Sequence, residues 1–362
     1  MASAADHLLF IGTYTKTSSR GIYALRLDDS GKLSAPALVG EISNPTFLAL
    51  HPNGRVLYAI GEEGSVDGRA AGIAASFSLD PVTGKLQPLN RQPSGGTSLT
   101  HLAPDRTAHA LVAVSYNGGY VVSFPLRADG QIEAPKSLLQ QTGPLGPNKS
   151  RQDSPHPHSV TISPDNRFAF VADLGLDRVF SYRLDTTHGT LAPNDPAYIT
   201  ITPGTGPRHA KFSNDGRFFY VLNEIDGSVT ACTYDAARGI GTPIQHISTL
   251  PAGFQVTDPD RAAEVRIHPN GKFLYASNRG HDSIAVFAID SASGKLTLVE
   301  ITPSGGKAPR NFALSPDGAW LVSAHQDSDS LVVFRVDGVT GRLSRIGGTV
   351  SVPMPVCVLF HD

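Results

Sequence analysis

The sequence predicts an all-β chain folded as a seven-bladed β-propeller, its ring closed by pairing the C-terminal strand with N-terminal ones. Three observations carry that expectation: a composition of turns and short strands, a phrase that recurs around the chain, and two chain ends that each hold what the other lacks. With 36 glycines, 27 prolines, 40% hydrophobic and only 17% charged residues, the composition favours short strands and tight turns over helices. A length of 362 residues would by itself suggest two or three domains. An internal repeat overrides that expectation, so residues 1–362 read as a single domain.

The recurring phrase is an apolar strand, a Pro-Asp/Asn-Gly turn and a second apolar strand. Its six copies turn at Pro52-Asn53-Gly54, Pro104-Asp105, Pro164-Asp165-Asn166, Asn214-Asp215-Gly216, Pro269-Asn270-Gly271 and Pro316-Asp317-Gly318. An alternating third strand follows, as at 178–184, 228–234 and 283–289. A Gly-x-Leu/Ile phrase then opens a fourth strand at Gly31, Gly84, Gly130, Gly189, Gly294 and Gly341, with a degenerate seventh copy at Gly239-Ile240. Six hairpins against seven fourth strands leave one hairpin missing. The N-terminus supplies a second and third strand at 8–11 and 21–27 without a first, and the C-terminus a first strand at 355–360 without a second. Joining them completes the seventh blade and leaves no unpaired sheet edge to invite aggregation.

Side chains of a strand alternate with period two. Counting back from each turn proline, or from Asn214, positions minus two and minus four are mainly apolar, as in Leu48, Leu50, Val160, Ile162, Val265 and Ile267, and are expected to pack between blades. The odd positions take the other orientation and are expected to line the channel: His101, Thr161, Lys211 and Arg266 at minus three, Ser159, His209, Glu264 and Asn311 at minus five. Because the first two strands are antiparallel, the start of the first and the end of the second meet at one rim. There stand His158, Arg208 and Arg310 at minus six and Glu62, Glu224, Arg279 and Gln326 at plus ten, with Asp173, Asn223, Asn278 and His325 one residue earlier. An extra residue in the second hairpin brings Tyr116 to the corresponding place, and the split blade offers Tyr14. Such a funnel suits a polar, anionic ligand. The longest connections, 62–72, 141–157 and 251–263, belong to the same rim, and insertions confined to one face mark a binding face.

The formal net charge of −2 provides no basic field to gather nucleic acid or an anionic membrane, so neither is expected as a partner. Two cysteines, Cys232 and Cys357, are too few for a disulfide framework, and no Cys/His cluster has zinc-site spacing. The first six residues lack the basic start of a secretory leader, and no apolar run approaches the roughly 18 residues of a membrane span. A cytoplasmic location is the expectation, and the Asn148-Lys149-Ser150 sequon then reads as chance.

Three pairs of phrases and one continuous run carry a family resemblance. They are His156-Pro-His-Ser-Val160 with Ala172-Asp-Leu-Gly175, Gly206-Pro-Arg-His209 with Val221-Leu-Asn-Glu224, the run Ala276-Ser-Asn-Arg-Gly-His-Asp-Ser283, and Ala308-Pro-Arg-Asn-Phe312 with Gln326-Asp-Ser328. Over nearly its whole length the chain resembles the seven-bladed propeller lactonases, a family that includes the bacterial propeller type of 6-phosphogluconolactonase and the fungal carboxy-muconate lactonising enzyme. The resemblance implies hydrolysis of a sugar lactone, or ring closure in the muconate branch, with no cofactor and no metal. It also implies a catalytic set of His158, Arg208, Glu224 and Arg279. The second hairpin departs from the family: Thr100-His101 replaces a Cys-His phrase, and the turn 104–107 has no glycine.

On this reading Arg208 stabilises the developing oxyanion while His158 or Glu224 deprotonates water, with His158 the better matched because an ordinary imidazole titrates near 6.5. His101, Tyr116, His156, His209, Asn223, Arg266, Arg310 and Gln326 are expected to bind the substrate. The arginines among them suit a phosphate or carboxylate through their planar fork. The expected partner is a small sugar lactone or phosphosugar acid, with 6-phosphogluconolactone first. A muconate-type cycloisomerase and a non-catalytic binding propeller stay open beside it, as does a monomer or a dimer.

Overall fold

The computed structural model describes residues 6–257 and 261–361. The five N-terminal residues read above for a leader, residues 258–260 of the third long connection, and residue 362 lie outside that description. Seven four-stranded antiparallel sheets form the ring. Blade 1 takes strands Leu48–Leu50, Val56–Val66, Arg69–Leu79 and Leu86–Thr97, and blade 2 takes His101–Pro104, Ala110–Ser115, Tyr120–Pro125 and Ser137–Gln140. Blade 3 takes Pro157–Ile162, Phe168–Asp173, Arg178–Asp185 and Thr190–Thr200, and blade 4 takes Pro207–Phe212, Phe218–Asn223, Ser228–Asp235 and Ile240–Ser248. Blade 5 takes Arg261–Ile267, Phe273–Arg279, Ser283–Ile289 and Leu296–Pro303, and blade 6 takes Pro309–Leu314, Trp320–His325, Ser330–Val336 and Leu343–Ser351. In blade 7 the C-terminal strand Pro355–Phe360 is innermost and pairs with His7–Thr13, after which Gly21–Leu27 and Ala37–Glu41 follow outward. Ile11 faces Val358 across that closing pair.

The Gly-x-Leu phrase does more than begin a strand. Each such glycine sits where the preceding blade presses against it. A Cβ on Gly294 would lie 2.2 Å from the Phe218 ring, and one on Gly341 2.5 Å from Phe273, and both glycines have φ above +70°. Tyr220 and Tyr275 donate their hydroxyls to the same glycines' carbonyls at 3.0 and 2.8 Å. Blades 4 and 5 are thus each locked to the next by a ring on a bare backbone, beside buried apolar faces such as that of Leu222, Val265, Leu274 and Phe287, while Leu8 and Val56 press on Gly84 and Gly130 in the same way. Burying one such side chain is worth about 1.5–3 kcal/mol. In blades 2 and 7 the phrase makes only an isolated bridge, at Leu126–Ile132 and Leu27–Leu33, and the fourth strand begins later. The glycine-free turn of blade 2 is held by Asp105, which accepts the N–H groups of Thr107, His109 and Ala110, while Ala108 takes the positive φ.

Strict alternation would turn position minus six toward the apolar inter-blade face. The strands avoid this with bulges. Pairing slips between Pro157 and Ser159, Pro207 and His209, and Pro309 and Asn311, so His158, Arg208 and Arg310 are each the extra residue. A bulge re-aims a side chain, here into the funnel. The connection 62–72 is largely β-structure, a ribbon in which Glu62 pairs with Gly72 and Val66 with Arg69.

Candidate active site

One funnel-shaped pocket of about 360 Å³ opens at the rim where first strands begin. The bulged residues His158, Arg208 and Arg310 line it together with Glu224 and Arg279 from the ends of neighbouring second strands. All three long connections reach it, supplying Glu62, Arg151 and Arg261. Its lining therefore carries five arginines and Lys16 against two carboxylates, Glu62 and Glu224.

Glu224 is the hub. Its Oε2 accepts from Arg208 Nε at 2.8 Å and lies 3.1 Å from Arg279 Nη2, while Oε1 accepts from Arg151 Nη2. Burial alone would raise its carboxyl, but Arg279 and Arg208, with His158 and Arg151, hold it well below the usual carboxylate range. An anion so held stays ionised and orients three guanidinium groups. Arg208 also donates from Nη1 to the Ala263 carbonyl and to His209 Nε2 at 3.1 Å. Its Nη2 has no hydrogen bond among the described residues, which leaves that nitrogen for an incoming oxygen.

His158 lies beside this hub, its Nε2 3.7 Å from Glu224 Oε2 and its Nδ1 buried without a partner among the described residues. Burial first, then Arg208, push its imidazole well below its ordinary pKa, so it is neutral at neutral pH. Behind it, His209 accepts from Arg208 through Nε2, which puts its proton on Nδ1, facing Glu264 Oε1 at 3.2 Å. Burial and Arg208 lower its pKa as well. Arg279, pushed down to about 9 by burial against the pull of Glu224, has a buried Nε with no partner among the described residues, as does Arg151. Buried donors without partners cost stability unless something accepts from them. These two donors and the spare imidazole nitrogen mark the pocket as a place for a polar, oxygen-rich ligand.

The structure brings His158, Arg208, Glu224 and Arg279 together, with Tyr116, His209 and Arg310 also in the lining. Five expected binding residues stand elsewhere. His156 lies behind Tyr116, stacked on its ring at 4.1 Å and bonded to Asp153. Asn223 is fully buried, donating to Ser228 and Thr230 within its own sheet. Gln326 begins a 3-10 turn after its strand and bonds Asp327, outside the pocket. His101 forms a waist in the channel with Phe47 and His209, and Arg266 lines the other end below it. Strand rise explains that separation: minus three lies about 10 Å along the strand from minus six.

Arg151 and Arg261 escaped the sequence reading because they sit on non-repeating connections. A signal for the bulges was available: a proline recurs seven residues before the turn at Pro45, Pro157, Pro207 and Pro309, and Pro355 opens the C-terminal first strand, each just ahead of a lining residue. Among the described residues no group of three His, Cys, Asp or Glu side chains could hold a metal ion, and no helix is long and apolar enough to cross a membrane.

Residues 8–360 match the family described as the seven-bladed β-propeller lactonases. The chain is 37% identical to a 6-phosphogluconolactonase of Bacillus subtilis over 97% of both chains, and 34% identical to one of Formosa agariphila over 84% of this chain and 86% of that one. Among solved structures it is similar to the periplasmic gluconolactonase of Pseudomonas aeruginosa, at 34% identity and a TM-score of 0.92 over 99% of each chain.

Proposed function

The chain belongs to the seven-bladed β-propeller lactonase family, and on that premise we propose that it hydrolyses a sugar lactone, 6-phosphogluconolactone first among them, to the open acid. The observation that carries this reading is a neutral imidazole beside an ionised glutamate within a lining of five arginines. His158 is the base. It takes a proton from water as the oxygen attacks the lactone carbonyl, and returns it to the ring oxygen as the acyl–oxygen bond breaks. The new carboxylic acid then loses its own proton to solvent. Arg208, through the free Nη2, and Arg279 stabilise the tetrahedral oxyanion, a role in which one preorganised donor is worth about 3–4 kcal/mol. Glu224 acts as the positioning anion for both. Arg310 makes no carboxylate pair among the described residues and holds the phosphate from the opposite wall, beside the Tyr14 ring at 5.6 Å.

A substrate panel tests this. Purified protein is assayed with 6-phosphogluconolactone, gluconolactone and carboxy-muconate, each corrected for spontaneous turnover. The phosphorylated lactone should have the highest kcat/KM, and Arg310→Ala should raise KM for it more than for gluconolactone. Acceleration of no lactone contradicts the reading, and equal loss on both substrates contradicts the phosphate role of Arg310. The site of action we propose is the cytoplasm, in keeping with two buried free thiols, Cys232 and Cys357. Cell fractionation decides between this and the periplasm, where the Pseudomonas relative resides.

A further inference from the structure

The channel has a second mouth, at the hairpin-turn end of the first strands. A cavity of about 290 Å³ opens there, below the waist of Phe47, His101 and His209. Two cations point their chemistry into it. The Lys211 side chain makes no hydrogen bond or ion pair among the described residues, and Arg266 is held only loosely, its Nη2 3.5 Å from Glu264 Oε2 and its Nε 3.3 Å from the Phe312 carbonyl. Glu264 does little for Lys211, since it is shared among Arg266, Asn311, His209 and the Val265 N–H. Burial and the neighbouring guanidinium draw the lysine's pKa down to about 8, as expected of an ammonium that lacks a counter-charge. A further donor comes from His101, whose Nδ1 accepts the Val160 N–H at 3.4 Å and whose proton is therefore on Nε2. Of the remaining polar lining, Arg106 spends its Nε on the Ser163 carbonyl and Thr161 its hydroxyl on the Ala210 carbonyl, and the rest of the wall is apolar, with Leu50, Leu102, Ile162 and Leu359 around the opening.

An unpaired ammonium beside a loosely paired guanidinium, inside a largely apolar wall, calls for an anion with an apolar body. We propose that this mouth is a second ligand site, separate from the arginine-rich pocket, that takes a small organic carboxylate gripped between Lys211 and Arg266. A phosphosugar fits it poorly, because the hydroxyls of a sugar would face leucine and isoleucine. The assignment does not depend on the lactonase reading.

Calorimetric titration of the full-length protein with sodium benzoate, at constant ionic strength, tests it. Saturable one-to-one binding is expected, weakened tenfold or more in Lys211→Met and in Arg266→Met, and unchanged in Arg310→Met. Lys211→Gln, which keeps a polar end without charge, should lose binding equally, and thermal melts confirm that each variant is folded. Absence of saturable binding by the wild type overturns the proposal. So does loss of binding in Arg310→Met with retention in folded Lys211→Met or Lys211→Gln. Inorganic phosphate bound as tightly as benzoate, and weakened in the same way by Lys211→Met, would overturn the choice of an apolar-bodied acid.

Discussion

A base that is already neutral has no proton to lose as the pH approaches 7. Because burial and Arg208 hold His158 well below its ordinary value, kcat/KM for lactone opening should stay level from about pH 8 down through the imidazole's usual pKa near 6.5. An acid limb centred at 6.5 would show a solvated histidine and contradict this assignment. The same burial has a cost in stability. His101, His158, His209 and His325 all have folded pKa values below the unfolded one, so the unfolded chain takes up their protons first as pH falls through 6.5. Each then removes about 1.4 kcal/mol of stability per pH unit until its folded pKa is reached, about 4 for His325. Asp173, raised to about 6 by burial, works in the opposite sense below pH 6 and offsets one of the four. Urea midpoints should therefore be steady from about pH 7 to 8 and fall steeply just below 6.5; a flat profile there would contradict buried neutral imidazoles. Glu224→Gln removes the anion shared by Arg151, Arg208 and Arg279. Stranding buried charge this way costs about 3–5 kcal/mol, so denaturant melts should show a large loss together with slowed catalysis.

Strands and connections place these side chains, and the long connection of blade 3 shows how closely. It is clamped onto the end of the neighbouring strand by Gln152 Nε2 to the Leu174 carbonyl at 2.8 Å and by the Gly146 N–H to the Gly175 carbonyl at 2.9 Å. A Cβ on Gly175 would lie 1.8 Å from the Ser154 carbonyl, which cannot yield without moving the connection that carries Arg151. Gly175→Ala should therefore lower kcat/KM by about tenfold or more through misplaced groups while the propeller still melts cooperatively; unchanged kinetics would mean that Arg151 is not needed. The bulges act at the same scale. Alternation read from the sequence assigned the inter-blade positions correctly, since packing there obeys period two. It could not show that one inserted residue lets minus six and minus five both face the funnel, because a bulge leaves no mark in an apolar pattern beyond the recurring proline.

For the whole molecule, the count of turns was the legible part. Seven glycine phrases, six hairpins and two complementary ends define the ring, because each blade must bury its face against the next and a closed ring leaves no edge. Depth along the channel was not legible. His101 and Arg266 share the repeat logic of the rim residues, yet one forms the waist and the other falls beyond it, where a different chemistry begins. Closure itself is testable. Removing Pro355–Phe360 bares the edge of His7–Thr13 and takes away the Val358 N–H that Asn311 accepts at 2.8 Å. The truncated chain should self-associate in sedimentation and lose its sharp unfolding transition; a monomer with an unchanged melt would contradict ring closure as the source of stability. The central claim is chemical, and one comparison reaches it most directly: steady-state opening of 6-phosphogluconolactone by the wild type and by His158→Ala, each corrected for the spontaneous reaction. The account predicts acceleration by the wild type and a loss of about 10²–10⁴ in kcat for the variant with its fold intact. Equal rates in the two proteins would contradict it.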